Sequence, residues 1–397
     1  MKLASRLDEI EPFYVMECAK AANALAASPL CDPAQGGRPM IYLNIGEPDF
    51  GAAQAVQAAA ASCIAQGQTQ YTSALGLPAL RQALSDWYAQ RFGLQIAAER
   101  IVITAGASAA LQLVCLALFE RGDEVLMPDP CYPCNRHFVA AADARAVLLP
   151  TGPEQRFQPS CAQVREAWGP HTRGVLLASP SNPTGTSIEP TEMRAIVEAV
   201  RAKGGVTIVD EIYLGLSYDP HFETSALRLG EDVISVNSFS KYFGMTGWRL
   251  GWVVLPTEMV APIEKLAQNL FICPSTIAQH AALAAFEPAS MIEFERRRAD
   301  FRARRDYIVP ALQALGFKVP VVPDGAFYVW MDCSAFSVDA WDFAFTLMHN
   351  AQIALTPGRD FGRQGAERWL RLSFASSMAE LQETVARLAQ VLPQYRQ

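Results

Sequence analysis

The stretch from Ser238 to Gly251 holds residue types that suit a covalent catalytic site. Lys241 stands there among glycines, hydroxyls and isolated cations, directly after an apolar run. A lysine that is partly desolvated and close to other cations has a lowered pKa, so its neutral amine can attack an aldehyde. Arg249 and the hydroxyl of Ser238 can bind a phosphate, the arginine through two parallel hydrogen bonds. Taken alone, the stretch is also explained by an exposed lysine and a structural arginine.

Polar residues that a pyridine cofactor needs follow two other apolar runs. Asp210 closes the run 206–209, where a carboxylate is costly unless it meets a cation or a donor. Beside a pyridine nitrogen it would keep that nitrogen protonated, which makes the ring of pyridoxal 5'-phosphate (PLP) an electron sink. Tyr213 and Asn182 can donate to the ring oxygen, although Asn-Pro at 182–183 is also a common turn.

Two further segments could bind the same cofactor. The small residues Gly106, Ala107 and Ser108 open a helical run after a strand, and free N–H groups at a helix start form a phosphate site. Tight packing of a helix on a strand asks for the same small residues. Tyr132 also follows a strand and could lay its ring on the pyridine, although a core tyrosine is the commoner case.

The elements that position these residues predict an α/β fold. From Leu43 to about Cys273, short β-rich runs alternate with helical stretches, which is typical of a mostly parallel sheet covered by helices on both faces. Functional residues should collect where such strands end. The clearest strands are residues 100–104, 124–127, 174–178, 206–210 and 233–237.

A chain of 397 residues is too long for one compact core and suits two domains. Beyond Pro274, a helical region rich in arginine leads to a strand-like run at 325–330 and a final helix after Met378. We therefore expect an N-terminal segment (1–45) that packs with the small domain, a large PLP-binding domain (46–280) and a smaller α+β domain (281–397). Acidic residues interleave with the arginines at 296–305, which favours a solvated helix face.

Composition excludes several other functions. The formal charge of −7 offers no general attraction for nucleic acid or anionic membranes, and no segment reaches the roughly 20 apolar residues of a membrane span. The N-terminus resembles neither a secretory signal nor a transit peptide. Nine cysteines without framework spacing indicate reduced thiols in a cytoplasm. The pair at 131 and 134 is isolated and the histidines lie apart, so no metal site is expected.

The order and character of these segments resemble fold-type I PLP enzymes, specifically the class I/II aminotransferases of the aspartate aminotransferase superfamily. The resemblance runs from about Phe13 to the final helix. The matching motifs are Asn-Ile-Gly-Glu-Pro-Asp-Phe at 44–50, Tyr71-Thr72 with Gly76 and Leu80-Arg81, the helix start at Gly106, Asn182-Pro-Thr-Gly, Asp210-Glu-Ile-Tyr213, Ser238-Phe-Ser-Lys241, Gly247-Trp-Arg249 and Arg371-Leu-Ser-Phe.

The resemblance implies a role for each matching residue. Lys241 becomes the Schiff-base lysine, Asp210 the partner of the pyridine nitrogen, and Tyr213 a partner of the ring oxygen. The further residues that it implies are Asn182 at the ring oxygen and the substrate, Tyr132 as the stacking aromatic, Ser238, Arg249 and the backbone of Gly106, Ala107 and Ser108 at the phosphate, Tyr71 at the same phosphate from the other subunit of a homodimer, and Arg371 with the backbone of Gly46 at the substrate α-carboxylate.

The activity implied by the resemblance is that of a PLP-dependent aminotransferase in amino acid metabolism. Lys241 would move the α-proton of an L-amino acid, and a 2-oxo acid would accept the amino group in a second half-reaction, with ping-pong kinetics. A C–S β-lyase on the same scaffold remains an alternative. No second arginine can be assigned to a side-chain carboxylate, which favours a neutral or apolar donor such as alanine or an aromatic amino acid.

Overall fold

Strands and helices alternate along the first two thirds of the chain, as the sequence pattern predicts. The computed structural model describes residues 3–396. The strands are β1 (Ile41–Tyr42), β2 (Ile101–Thr104), β3 (Glu124–Asp129), β4 (Arg145–Pro150), β5 (Thr172–Ala178), β6 (Val206–Asp210), β7 (Ile234–Ser238), β8 (Gly251–Val254), β9 (Tyr328–Asp332), β10 (Ile353–Ala354), β11 (Thr356–Pro357) and β12 (Trp369–Ser373). The helices are α1 (Tyr14–Ala26), α2 (Gln54–Ala65), α3 (Pro78–Phe92), α4 (Ala107–Leu118), α5 (Pro133–Ala141), α6 (Cys161–Ala167), α7 (Pro190–Ala202), α8 (Thr257–Leu270), α9 (Thr276–Leu283), α10 (Pro288–Leu315), α11 (Ala340–Ala351) and α12 (Met378–Val391).

Local signals start and stop many of these helices. Proline opens α3, α5, α7 and α10, where its missing N–H has no intrahelical partner to lose. Helix α12 begins with a capping box in which Ser377 and Glu380 bond to each other's backbone N–H. Gly316 ends α10 with a φ of +108°, a conformation that favours glycine.

The larger sheet has the strand order β2-β8-β7-β6-β5-β3-β4. Neighbours from β7 to β4 run parallel, whereas β8 is antiparallel to both β2 and β7. The prediction of a mostly parallel sheet is confirmed. Two strands, β4 and β8, were missing from the predicted set.

Both faces of this sheet are covered by helices. Along β5, Val175 and Leu177 pack in a buried cluster with α6 and α7, while Leu176 points the other way into a cluster with α4, α5 and α8. Successive strand residues face opposite sides, so a strand that is apolar throughout must be buried on both. Because the strands from β7 to β4 run parallel, their carboxyl ends lie at one edge of the sheet, where polar residues follow.

A second, antiparallel sheet has the order β11-β12-β9, and β1 pairs with β10 in parallel. Helix α1 contacts α11, β10 and β11. Buried apolar residues of β9, α11 and β12 join those of α3 and β2 in one continuous core cluster. The second sheet is therefore packed firmly beside the first.

The arginines of α10 correct one expectation. Arg296 and Arg302 lie on an exposed face as predicted. Arg297, in contrast, is buried and donates to the backbone oxygen of Gly51 (2.8 Å), and Arg304 holds both carboxylate oxygens of Asp49 (2.9 Å each). The helix therefore secures the loop that follows Asn44-Ile-Gly-Glu-Pro, because two of its arginines turn inward.

Neither a membrane span nor a metal cluster is found in the described part of the chain. Within residues 3–396, every helix is too short or too polar to cross a bilayer. The same residues contain no group of three or more His, Cys, Asp or Glu side chains arranged to hold a metal ion.

Candidate active site

A cavity of about 460 Å³ opens where β5, β6 and β7 end and α4 begins. Parallel strands bring their carboxyl ends to one edge of a sheet, which is why residues distant in the chain meet there. The predicted site residues that line this cavity are Gly46, Ala107, Ser108, Tyr132, Asn182, Asp210, Tyr213, Ser238, Lys241, Arg249 and Arg371. Gly106 does not line the cavity but lies beside the Arg249 guanidinium, and Tyr71 is exposed on the surface outside the cavity.

Lys241 reaches into the cavity from the segment after β7. Its Nζ donates to the backbone oxygen of Gly46 at 2.6 Å. Burial is the main reason that its pKa falls from 10.5 to about 8; Glu47 opposes the fall, while Arg371 and Arg249 add to it. An amine with this pKa is partly neutral near pH 7 to 8, so it can act as nucleophile and base.

Asp210 is the last residue of β6 and is buried. Burial raises the pKa of its carboxyl to about 7, Glu211 adds to the rise, and the N–H of Ile212, which donates to Oδ1 at 3.2 Å, opposes it. An ionised carboxylate at this depth is stabilised by a cation or by several donors. Its position therefore suits a partner with a positively charged ring nitrogen.

Arg371 projects from β12 in the second sheet and is also buried. Nη1 donates to Oδ1 of Asn182 at 2.8 Å, and Nη2 donates to the backbone oxygen of Asn44 at 2.5 Å. The guanidinium lies over the rings of Tyr328 and Phe361, at 4.4 and 4.7 Å from their centroids. These contacts fix a cation in one orientation at the side of the cavity.

The start of α4 and Arg249 form an anion cradle. Gly106, with φ +84°, precedes the helix, and a Cβ at this position would lie 2.7 Å from Nη2 of Arg249. Arg249 itself adopts a φ of +51°, a strained conformation for a residue with a side chain. The guanidinium and the first N–H groups of α4 thus meet at one point, which suits a phosphate.

Comparisons with known proteins agree with this arrangement. The family model for aminotransferase class I and II matches residues 38–388. The chain belongs to this family. It is therefore an aminotransferase, and the family resemblance inferred from its motifs is confirmed.

Relatives with names and solved structures are similar over nearly the whole chain. The valine–pyruvate aminotransferase of Mycobacterium tuberculosis is 37% identical and covers 97% of both chains. A crystal structure of an aminotransferase from the same organism has a TM-score of 0.93 at 36% identity, covering 99% of this chain and 100% of that one. Thermus thermophilus aspartate aminotransferase with maleate has a TM-score of 0.91 at 33% identity, with coverage of 99% and 100%. The fold class is thereby confirmed as fold-type I.

One residue of this aminotransferase site was missed by the sequence analysis. Tyr328 opens β9, and its hydroxyl lies 2.8 Å from the hydroxyl of Tyr213. A Cβ at position 46 would overlap the Tyr328 hydroxyl, so Gly46 is required for this close approach. The strand-like run at 325–330 was recognised, but alternation along a strand does not say which face meets a cavity.

The apolar wall of the cavity was also missed. Phe13, Val15, Met16 and Ala19, from the start of α1, line it together with Ile45 and Leu111. The rings of Phe13 and Tyr132 are nearly perpendicular, with their centroids 6.1 Å apart. Over residues 3–396, the basic side chains that line the cavity are those of Lys241, Arg249 and Arg371.

Tyr71 is separate from this cavity in the single chain. It is 84% exposed, in the loop before α3. The hydroxyl of Thr276 donates to the neighbouring backbone oxygen of Gln70 at 2.6 Å, which ties this loop to the start of α9. A large exposed ring on a secured loop is a typical feature of a contact surface.

Proposed function

We propose that this aminotransferase binds PLP covalently through Lys241 and transfers the amino group of a neutral or apolar L-amino acid to a 2-oxo acid with ping-pong kinetics. One observation carries the proposal. A lysine of lowered pKa, a buried carboxylate and an anion cradle surround one cavity, and a buried arginine stands at its side.

The residues present fit PLP. The N–H groups at the start of α4, Arg249 and Ser238 would hold the phosphate, because the Arg249 guanidinium lies beside Gly106 at the start of α4 and Ser238 lines the same cavity. Asp210 would hold the pyridine nitrogen, which would lower the raised pKa of this carboxyl. The residues for the other ring contacts are Tyr213 and Asn182 at the ring oxygen and Tyr132 on the ring face. When bound, PLP supplies an electron sink for the charge left by removal of the α-proton.

The chain's own residues account for the remaining steps. The neutral amine of Lys241 takes the proton from the substrate Cα, and its pKa of about 8 suits a base that works near neutral pH. Arg371 binds the substrate α-carboxylate with its two-pronged guanidinium. Asn182 and Asn44 hold that guanidinium in place, so the Cα–H bond is presented in one orientation.

The cavity wall supports a neutral or apolar amino donor. The start of α1 contributes only apolar side chains, Phe13, Val15, Met16 and Ala19. Arg371 and Arg249 are assigned to the α-carboxylate and the phosphate, so the described residues of one subunit place no further arginine at the cavity for a second substrate carboxylate, whose desolvation is costly without a cation. The similarity to the valine–pyruvate aminotransferase of M. tuberculosis points in the same direction.

We further propose a division into a large domain (46–280) and a small domain (281–397) with which the N-terminal segment (1–45) packs, and a homodimer with two shared sites. The dimer rests on Tyr71, whose exposed ring would reach the cofactor phosphate of the partner subunit. Exposed apolar side chains at Leu270 and Ile272, shortly before the segment that secures the Tyr71 loop, support an interface on this side.

The test of the cofactor assignment is spectroscopic. Purified protein supplied with PLP should absorb in the visible, and borohydride should fix the cofactor on Lys241. Lys241→Ala should lose both the fixed cofactor and turnover. Lys265→Ala, at an exposed lysine of α8, is the matched control and should retain both. Fixation on another lysine would overturn the assignment.

The test of the substrate class is a donor screen. Valine, alanine, phenylalanine and aspartate are offered with pyruvate or 2-oxoglutarate, and kcat/KM is compared. We expect the three neutral amino acids to exceed aspartate, and a preference for aspartate would refute the proposed substrate class. Cystathionine without an acceptor is tested as well, because pyruvate formed there would indicate a C–S β-lyase instead.

A further inference from the structure

Helix α1 is capped by a residue far away in the chain. Its N-cap position is Phe13, whose side chain cannot accept a hydrogen bond. Instead, the N–H groups of Tyr14 and Val15 donate to Oδ1 and Oδ2 of Asp360, at 3.1 and 2.8 Å. A carboxylate at this place satisfies two free N–H groups and interacts favourably with the helix dipole. Asp360 is fully buried in the turn Gly358–Asp360.

The capped turn of α1 is the turn that walls the cavity. Phe13, Val15 and Met16 line the cavity, whereas Asp360 does not. The carboxylate therefore lies behind the wall and holds it by the backbone. Because a helix start without a cap frays readily, removing the carboxylate would loosen this part of the wall first.

The same turn also touches the arginine assigned to the α-carboxylate. Phe361, next to Asp360, belongs to a buried cluster with Val15 and Trp330. The guanidinium of Arg371 lies 4.7 Å from the centroid of the Phe361 ring. The turn at Asp360 and Phe361 thus contacts both the start of α1, which lines the cavity, and Arg371, which is assigned to the substrate α-carboxylate.

We propose that Asp360 is a positioning residue that holds the first turn of α1 against the cavity and thereby determines the affinity for the amino acid substrate. Asp360 acts through α1 and touches neither substrate nor cofactor. The substrate part of this inference rests on the proposed function, whereas the part that concerns the helix cap does not.

Hydrogen exchange tests the cap directly. Holoenzyme carrying Asp360→Ala is compared with wild type by mass spectrometry of peptides that cover residues 13–20. The amides of Tyr14 and Val15 should each exchange roughly 10- to 150-fold faster, the range that corresponds to losing one hydrogen bond to a charged group. Ser377→Ala is the matched control, because it removes the cap that Ser377 gives to α12 by accepting the N–H of Glu380 at 3.2 Å. Exchange at 13–20 should be unchanged in this control, and equal exchange in wild type and Asp360→Ala would overturn the inference.

Substrate binding tests the consequence. The first half-reaction is followed through the visible spectrum of the bound cofactor while the concentration of valine is varied. Asp360→Ala should raise the half-saturating concentration about 10-fold and leave the maximal rate and the affinity for PLP unchanged, because the reacting groups stay in place. An unchanged half-saturation, or a loss of maximal rate alone, would contradict the role.

Asp360→Asn keeps the inference testable should Asp360→Ala fail to fold. Its amide retains one acceptor oxygen for the two N–H groups, so both effects should be intermediate. If the amides of Tyr14 and Val15 exchanged at the wild-type rate in Asp360→Asn, the inference would be overturned, because the two carboxylate oxygens of Asp360 would not be needed to protect them. If Lys241→Ala kept its activity, the proposed function would be refuted, while the exchange comparison would still decide whether Asp360 caps α1.

Discussion

Replacing Arg371 with lysine separates the charge of this residue from its geometry. The arginine is 2% exposed and donates from Nη1 to Asn182 and from Nη2 to the backbone oxygen of Asn44. Arg371→Lys retains the positive charge but offers a single ammonium in place of a planar fork. That ammonium would have to serve the two asparagine oxygens and the substrate carboxylate together, so at least one hydrogen bond to the substrate would be lost.

The size of the effect follows from that loss. A hydrogen bond to a charged group contributes about 1.5–3 kcal/mol, which corresponds to roughly a 10- to 150-fold fall in kcat/KM. The visible spectrum of the bound cofactor should be retained, because Arg371 is assigned to the substrate and not to PLP. A neutral substitution such as Arg371→Ala should be worse, since it also leaves the oxygen of Asn44 without this donor.

The assay is kcat/KM for the best amino donor of the screen, with the PLP spectrum recorded on the same samples. Arg368→Lys is the matched control. It stands just before β12, its side chain is 54% exposed, and it pairs with Asp332. Asp332 is buried, but neither residue lines the cavity and lysine keeps the positive charge beside this carboxylate, so kcat/KM should be nearly unchanged in this control. Equal kcat/KM in the two variants, or release of PLP by Arg371→Lys with unchanged substrate kinetics, would refute the assignment.

Three further predictions concern the cofactor and the subunits. Asp210→Asn should keep some PLP through the phosphate contacts but lose kcat by on the order of 100-fold, since the ring nitrogen is no longer held protonated, and near-normal turnover would exclude this role. The rate at which apoenzyme takes up PLP should rise with pH with a midpoint near 8, because only the neutral amine of Lys241 is a nucleophile; a midpoint near the ordinary 10.5, measured by stopped-flow absorbance, would contradict this. Mixing Tyr71→Ala with Lys241→Ala protomers should restore activity, since a mixed dimer regains one site with both native residues; no recovery after demonstrated subunit exchange would refute the shared site.

The sequence alone determined the positions that follow the parallel strands. Asp210 and Ser238 end β6 and β7, and Lys241 follows Ser238 by three residues. Each is marked locally by an apolar run that changes abruptly to polar residues. Because parallel strands end at one edge of a sheet, these local signals were enough to place distant residues in one cavity. The roles of these residues remain predictions.

Strand pairing was harder to predict from the sequence. The apolar run of β8 is only Gly251–Val254, directly after the stretch with Lys241, and it lies antiparallel between β2 and β7. A short apolar run gives neither a strand direction nor a pairing partner, since both depend on residues far along the chain. Arg297 and Arg304 were predicted to lie on a solvated face for the same reason. Their partners lie in the loop at 49–51, far from α10 in the sequence.

Long-range contacts bring together the side chains that close the cavity. Arg371 meets Asn182 across 189 residues, and Asp360 caps a helix that begins 346 residues earlier. These contacts arise from the docking of the second sheet and α1 onto the first, and helical or strand periodicity contains no information about that docking. The pKa of Lys241 falls to about 8 for the same reason, since the burial that lowers it is supplied by several separate segments. The local sequence therefore specifies which amine, carboxylate and guanidinium groups follow the strands, whereas their desolvation and orientation depend on long-range packing.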